Sequence, residues 1–305
     1  MTYHEEHIQQ TAEFIILYDQ TSMSTRITVA QIDVRVGNID YNLKRHVECA
    51  EEALSKHSRI ILFPELSLTG YSIRDLVHDV AHHSYRKHPA YLKLLEISHD
   101  IHIIAGGVEE AQNFGLHNAV FYFADGEMHI VHRKIYLPTY GMFEEGRYFL
   151  PGHSVRSFET GSGRWGALVC EDLWHISLPY LLAQDGADVI VGLSASPTRL
   201  GGDTNQEPAV AGVNMEHHKT FARLLSCYVV FCNRVGFEDG ISFWGGSTIV
   251  APTGTIVKQA PFFEEAMIYA DISKNDIKRA RRDSRHALDE RPEFVLKELE
   301  RTSRV

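Results

Sequence analysis

The chain has 305 residues, 44% of them apolar and 23% charged, with 22 glycines and 10 prolines; this is the composition of a globular protein with a sizeable core, not of a disordered or fibrous one. With 40 acidic against 30 basic residues its formal charge is -10, which excludes a general nucleic-acid binder, because neutralising phosphates needs a basic surface. No apolar run approaches the roughly 18 residues of a membrane span, and the opening "MTYHEEHIQQTAEFIILYDQ" has acids where a secretory leader has basic residues, so a cytoplasmic protein with no membrane partner is expected.

Residues 1–25 have no clear period and read as an N-terminal extension. The first persuasive strand is "RITVAQIDV" (26–34), followed by "DYNLKRHVECAEEALSK" with Leu43, Val47, Ala50 and Leu54 at helical spacing, and by the short apolar run "SRIILFPE". A helical region from about Arg74 to Asp100 leads into the strand "IHIIAGGVEE". The runs "LHNAVFYF" and "MHIVHRKIYL" flank "ADGE", whose Asp-Gly predicts a tight hairpin. The strand "RWGALVCED", a helix over Ser177 to Gln184 stopped by Gly186, and the strand "ADVIVGLSAS" repeat the strand-helix unit. "AVAGVNMEHHKTFARLLSC" reads as a helix, "YVVFCNRV" as a strand, and "GGSTIVAPTGTIVKQA" as a hairpin about Pro252-Thr253-Gly254. The main domain is therefore placed at 26–275, with a charged, helical C-terminal tail over 276–305.

Helices alternating with both crossover strands and hairpins predict an α/β fold, most naturally two mixed sheets packed together under outer helices. No G-x-G-x-x-G follows the first strand and no G-x-x-x-x-G-K-[ST] occurs, so no nucleotide cofactor is expected. The four cysteines, Cys49, Cys170, Cys227 and Cys232, lack C-x-x-C spacing, which argues against a zinc cluster or a disulfide framework. Among 18 histidines, His78 and His82 share a helix face, but without an H-E-x-x-H pattern they read as a solvated face and no metal is expected.

Three reactive side chains stand where apolar strands end: Glu65 after "ILFP", Lys134 after "IVHR" and Cys170 after "ALV". Singly, each has an ordinary reading as a strand terminus, a solvated charge or a buried thiol. Together they are a base, a fixed cation and a sulfur nucleophile. The cation also answers an objection raised by "CED", where Glu171 and Asp172 disfavour a thiolate: Lys134 within a few ångströms is expected to offset them.

The segments "FPELSLTGY", "HRKIYLPTYGMFEEGRYF" and "LVCEDLW" resemble the nitrilase superfamily of carbon-nitrogen hydrolases, most closely the glutaminase domain of glutamine-dependent NAD synthetases. The resemblance covers roughly 26–275 and implies a four-layer αββα sandwich of the nitrilase type, a Glu-Lys-Cys catalytic set, no metal or cofactor, and pairing into a homodimer or higher oligomer. Carried over by motif, Glu65 is the general base, Lys134 the oxyanion-side lysine, Cys170 the nucleophile and Glu145 the second glutamate, its place ahead of Phe149 and "PG" fitting better than that of Glu144. Tyr71, Tyr140, Glu171, Trp174, Ser196 and Arg199 fall at substrate-binding positions. Two departures follow: Ser194 stands where those glutaminase domains usually carry asparagine, and no SGG-x-DS pyrophosphate loop occurs, so this chain alone is not expected to make NAD. The resemblance thus leaves an amidase acting on glutamine or a similar carboxamide, a nitrilase or N-carbamoyl amine hydrolase with the same residues, and an ammonia-donating or regulatory subunit for a separate NAD synthetase.

Overall fold

A computed structural model describes residues 24–81, 89–198 and 208–303. In chain order the first sheet takes β1 (Ser24–Gln31), β2 (Ile60–Leu62), β3 (His102–Glu110), β4 (Leu116–Ala124) and β5 (Glu127–Arg133), with helix α1 (Ile39–Ser55) between β1 and β2 and α2 (Pro89–Ile97) before β3. The second sheet begins with β6 (Ser157–Thr160) and β7 (Gly163–Val169), and α3 (Ser177–Gln184) leads to β8 (Val189–Ser194). After β9 (Pro197–Thr198) come α4 (Ala209–Leu225), β10 (Tyr228–Asn233), β11 (Val235–Glu238), β12 (Ile241–Trp244), β13 (Thr248–Val250) and β14 (Ile256–Gln259). Strand β15 (Ala266–Ser273) returns to the first sheet, and α5 (Lys274–Asp283) and α6 (Pro292–Thr302) follow it.

The strand orders are β15-β1-β2-β3-β4-β5 and β14-β13-β10-β8-β7-β6, with a small sheet β11-β12-β9. Each large sheet has a parallel centre, β1-β2-β3 in one and β7-β8-β10 in the other. Antiparallel strands continue each sheet outward. Side-chain alternation explains the layering. Leu62, Ile104 and Val120 face Val169, Val191 and Val230 in one core between the sheets. Their neighbours Ile61, Ile103 and Phe121 point outward to Ala50, Ala53 and Leu94 of α1 and α2. Leu168, Ile190 and Val229 in turn meet Leu178 and Leu182 of α3 and Phe221 of α4. Both faces of each sheet are covered, which is why the central strands read as unbroken apolar runs, and the expected four-layer αββα sandwich is what the chain forms.

The expected hairpin is present: Asp125 and Gly126 both have positive φ, 53° and 79°, the conformation a two-residue turn with the right twist requires. The region from Arg74 to Asp100 is not one helix: it holds a 3-10 turn Arg74–Leu76, a single turn Val77–Val80 and α2, while residues 82–88, with His82, lie outside the described residues. Strands β11, β12 and β15 are additions to the sequence reading. They are short or carry polar residues such as Glu238 and Asp271; β11 and β12 pair as a hairpin, β12 also pairs with β9, and β15 pairs with the distant β1.

Two histidines in the core are held neutral. His46 bonds Asn42 O at 2.7 Å and Ser67 Oγ at 2.9 Å, and burial lowers its pKa to about 4. His218, against Phe231 at 4.6 Å, has no hydrogen-bond partner on either ring nitrogen among the described residues, and burial lowers it to about 3. An unfolded histidine titrates near ~6.5 and binds protons first, so acid favours unfolding between that value and the folded pKa. Stability is therefore expected to fall as pH drops from 6.5 to 4.5, by about 1 kcal/mol per pH unit for each histidine. Urea unfolding at the two pH values should give a visibly shallower loss in His218→Phe than in the parent, and parallel losses would contradict this.

Candidate active site

Four turns carry the site. The chain after β2 is held to β3 by Phe63 N–H on Ile104 O (2.8 Å) and Gly106 N–H on Pro64 O (3.2 Å). Glycine is required at 106 because a Cβ there would lie 2.7 Å from Glu65 Cα. Lys134, just past β5, donates its N–H to Asn118 O at 2.8 Å. Glu145 opens a one-turn helix Glu145–Tyr148. Cys170 follows β7 with φ +44°, a conformation a non-glycine residue adopts only under constraint, and starts the 3-10 turn Cys170–Trp174.

These turns bring the expected residues together. Lys134 Nζ, fully buried, donates to Glu65 Oε1 at 2.8 Å and to Glu145 Oε1 at 2.7 Å. Asn118 Nδ2 donates to the same Glu65 oxygen at 2.7 Å, the Ala195 N–H to Glu65 Oε2 at 2.7 Å, and the Tyr71 hydroxyl to Glu145 Oε1 at 2.6 Å. Glu171 accepts from the Tyr140 hydroxyl at 2.9 Å, and Ser196 Oγ accepts from Trp244 Nε1 at 2.9 Å. Trp174 stands apart from this network among the described residues: it is 42% exposed and meets His217 edge-on at 4.9 Å. Arg199 lies outside the described residues.

The electrostatics depart from expectation at the thiol. Burial pushes the Cys170 pKa far up, Glu65 adds to this, and Lys134 with the Ser194 hydroxyl only partly offsets it. The physical reason is that the lysine is already shared between two carboxylates. Burial alone would depress Lys134, but Glu145 and Glu65 more than compensate and hold it well above the usual ammonium value. Burial raises Glu145 to about 7 despite Lys134, with Glu65 adding and Tyr71 opposing. A resting thiol beside a carboxylate needs a base at the moment of attack.

The acids next to Cys170 do not oppose it as the sequence suggested. Asp172 is fully buried and turned into the scaffold, where it takes His132 Nε2–H at 2.7 Å and the N–H groups of Val169, Ile135 and Tyr136 at 3.1, 3.1 and 3.0 Å. One carboxylate thus ties the Cys170 strand to the Lys134 strand. Asp172 and Asn118 were missed as site residues; a lone Asn in "LHNAVFYF", otherwise built for burial, was the available signal.

The carbon-nitrogen hydrolase family profile matches residues 26–282. The chain belongs to that family. It is 32% identical over 266 residues to the glutamine-dependent NAD(+) synthetase of Acinetobacter baylyi, covering 87% of this chain and 47% of that one. The solved glutamine-dependent NAD+ synthetase of Acinetobacter baumannii superposes with a TM-score of 0.74 at 30% identity, over 83% of this chain and 46% of the other. The chain thus spans less than half the length of either synthetase. A carbon-nitrogen hydrolase from Helicobacter pylori G27 matches along 98% of its own length and 91% of this chain, with a TM-score of 0.81 at 22% identity, and so shares the fold. Among the described residues no three His, Cys, Asp or Glu side chains are grouped to hold a metal, and no helix is long and apolar enough to cross a membrane.

Proposed function

We propose that the chain is a cysteine-dependent amidase that releases ammonia from a small carboxamide, glutamine first, through a thioester. The observation that carries this is the Lys134 ammonium held between Glu65 and Glu145 at 2.8 and 2.7 Å, with burial and Glu65 holding the Cys170 thiol above its usual range. Glu65 takes the thiol proton as sulfur bonds to the amide carbon. The carbonyl oxygen becomes an oxyanion facing Lys134 and the Glu171 N–H. Collapse breaks the carbon-nitrogen bond as Glu65 returns its proton to the leaving nitrogen, so ammonia departs and the acyl group stays on sulfur. Water, deprotonated by the same Glu65, then frees the acid and the thiol.

Glutamine is favoured because the residue after Cys170 offers a carboxylate, Glu171, placed by the Tyr140 hydroxyl, for an α-ammonium group, and because the relatives above are glutamine-dependent enzymes by name. The same relatives make a separate NAD synthetase the proposed recipient of the ammonia. Self-association into a dimer is supported by exposed apolar side chains on and beside the outer helices, including Ile176, Leu181, Leu224, Leu296 and Leu299. A cytoplasmic location agrees with reduced cysteines.

The test is ammonia release from glutamine, asparagine, aliphatic amides, nitriles and N-carbamoyl amines, run beside Cys170→Ala. Glutamine turnover that vanishes in the variant is expected. Turnover of nitriles without any amide would overturn the substrate, and unchanged turnover in Cys170→Ala would overturn the mechanism.

A further inference from the structure

The Tyr71 hydroxyl bonds Glu145 through the same Oε1 that accepts Lys134, at 2.6 and 2.7 Å. What aims that hydroxyl lies on the far side of the Tyr71 backbone. Glu238, 4% exposed at the end of β11, accepts the N–H groups of Tyr71 and Ser72 on one oxygen at 2.9 and 2.8 Å. Its other oxygen is bonded by the guanidinium of Arg234, which is itself fully buried and also held by Asp33 at 3.2 Å and Val34 O at 3.1 Å. The guanidinium lies 4.3 Å over the Phe243 ring, and Phe243 meets the Tyr71 ring edge-on at 6.1 Å. Backbone and ring of Tyr71 are therefore gripped by one unit. The turn fits closely: Gly70 has φ +84°, and a Cβ there would approach Val36 Cα to 2.7 Å and Glu238 Oε1 to 3.2 Å.

A buried ion pair is a weak source of stability, and apolar residues of similar volume generally hold a fold as well. What they cannot do is accept two adjacent N–H groups. We propose that Glu238, oriented by Arg234, is a positioning residue that sets the Tyr71 hydroxyl on Glu145 and so tunes the second carboxylate of the catalytic set. Tyr71 helps Glu145 to ionise, against burial and against Glu65, and with Lys134; Cys170 also interacts with it. Displacing Tyr71 therefore raises the pH at which Glu145 gives up its proton.

The inference rests on Glu145 belonging to the catalytic set, and it is tested by two readouts, one of which needs no substrate. Glu238→Leu, Tyr71→Phe and the double variant are compared for kcat and KM in ammonia release, and for the pH profile of Cys170 alkylation by iodoacetamide. Glu238→Leu, which accepts neither N–H group, is expected to lower kcat about tenfold with little change in KM, and to move the Glu145 inflection of the alkylation profile to higher pH. Tyr71→Phe should do the same, and the double variant should be no worse than Tyr71→Phe alone. Additive losses, or a lower Tm with an unmoved inflection, would overturn the proposal. If Arg234 left without its partner prevents folding, Arg234→Met with Glu238→Leu removes the buried charge and both acceptors and carries the same expectation. If no amide is turned over, the functional reading fails while the alkylation profile still decides this one.

Discussion

Glu65→Gln is expected to reduce kcat by about a thousandfold, within the range for loss of a general base, while lowering the pKa of the Cys170 thiol. The two effects have opposite sign because Glu65 has two roles. Its negative charge is the strongest electrostatic influence raising the thiol pKa, after burial, so removing it favours thiolate. Its proton affinity is what moves hydrogen from sulfur to the leaving nitrogen and from water in the second half-reaction. The glutamine side chain also fits poorly: among the described residues, the three hydrogen-bond partners of Glu65 are donors, Lys134 and Asn118 on one oxygen and Ala195 N–H on the other. A carboxamide turns its own NH2 toward at least one of them. The check is steady-state ammonia release together with the pH midpoint of iodoacetamide alkylation. A collapse of turnover with a lower midpoint supports Glu65 as the base. A collapse with a higher midpoint assigns proton removal elsewhere.

That split between charge and base was not legible from sequence, and the reason is specific. Glu65, Lys134 and Cys170 were found because each ends an apolar strand, and the strand ends converge as α/β topology leads one to expect. The layered fold was legible from the alternation of buried runs with helices. Sequence could not supply how many partners Lys134 has. A lysine shared by Glu65 and Glu145 cannot also bring the thiol below its usual range, and that count depends on a three-dimensional arrangement of β5, the β2 turn and a one-turn helix. The same limit hid Asp172 and Glu238. In the sequence Asp172 enters only as a charge that disfavours the thiolate and Glu238 not at all, yet both are buried acceptors for backbone N–H groups. Trp174, beside the nucleophile in sequence, sets its ring edge-on against His217, a contact between distant residues that the sequence does not show.

Lys134→Met is expected to abolish measurable turnover and to destabilise the fold by about 3–5 kcal/mol near pH 7.5, the range for a buried charge stripped of its partner. Two carboxylates, 0% and 5% exposed at their side chains, then face each other's field without a cation. Burial and Glu65 already raise Glu145 to about 7 with the lysine present; without it, Glu145 is raised further above the unfolded value of ~4.3. A carboxyl whose folded pKa lies above its unfolded one stabilises at low pH, and that contribution is lost as pH rises through the folded pKa. The variant should therefore be closest to the parent at pH 5 and fall progressively behind it toward pH 8. Losses from His46 and His218 occur in both proteins and cancel in the difference. Urea unfolding of parent and variant at pH 5, 6.5 and 8 measures the gap directly. A gap that is constant, or widest at pH 5, would mean that Lys134 does not serve as the shared counter-charge of Glu65 and Glu145, and the catalytic arrangement built on it would fall with that result.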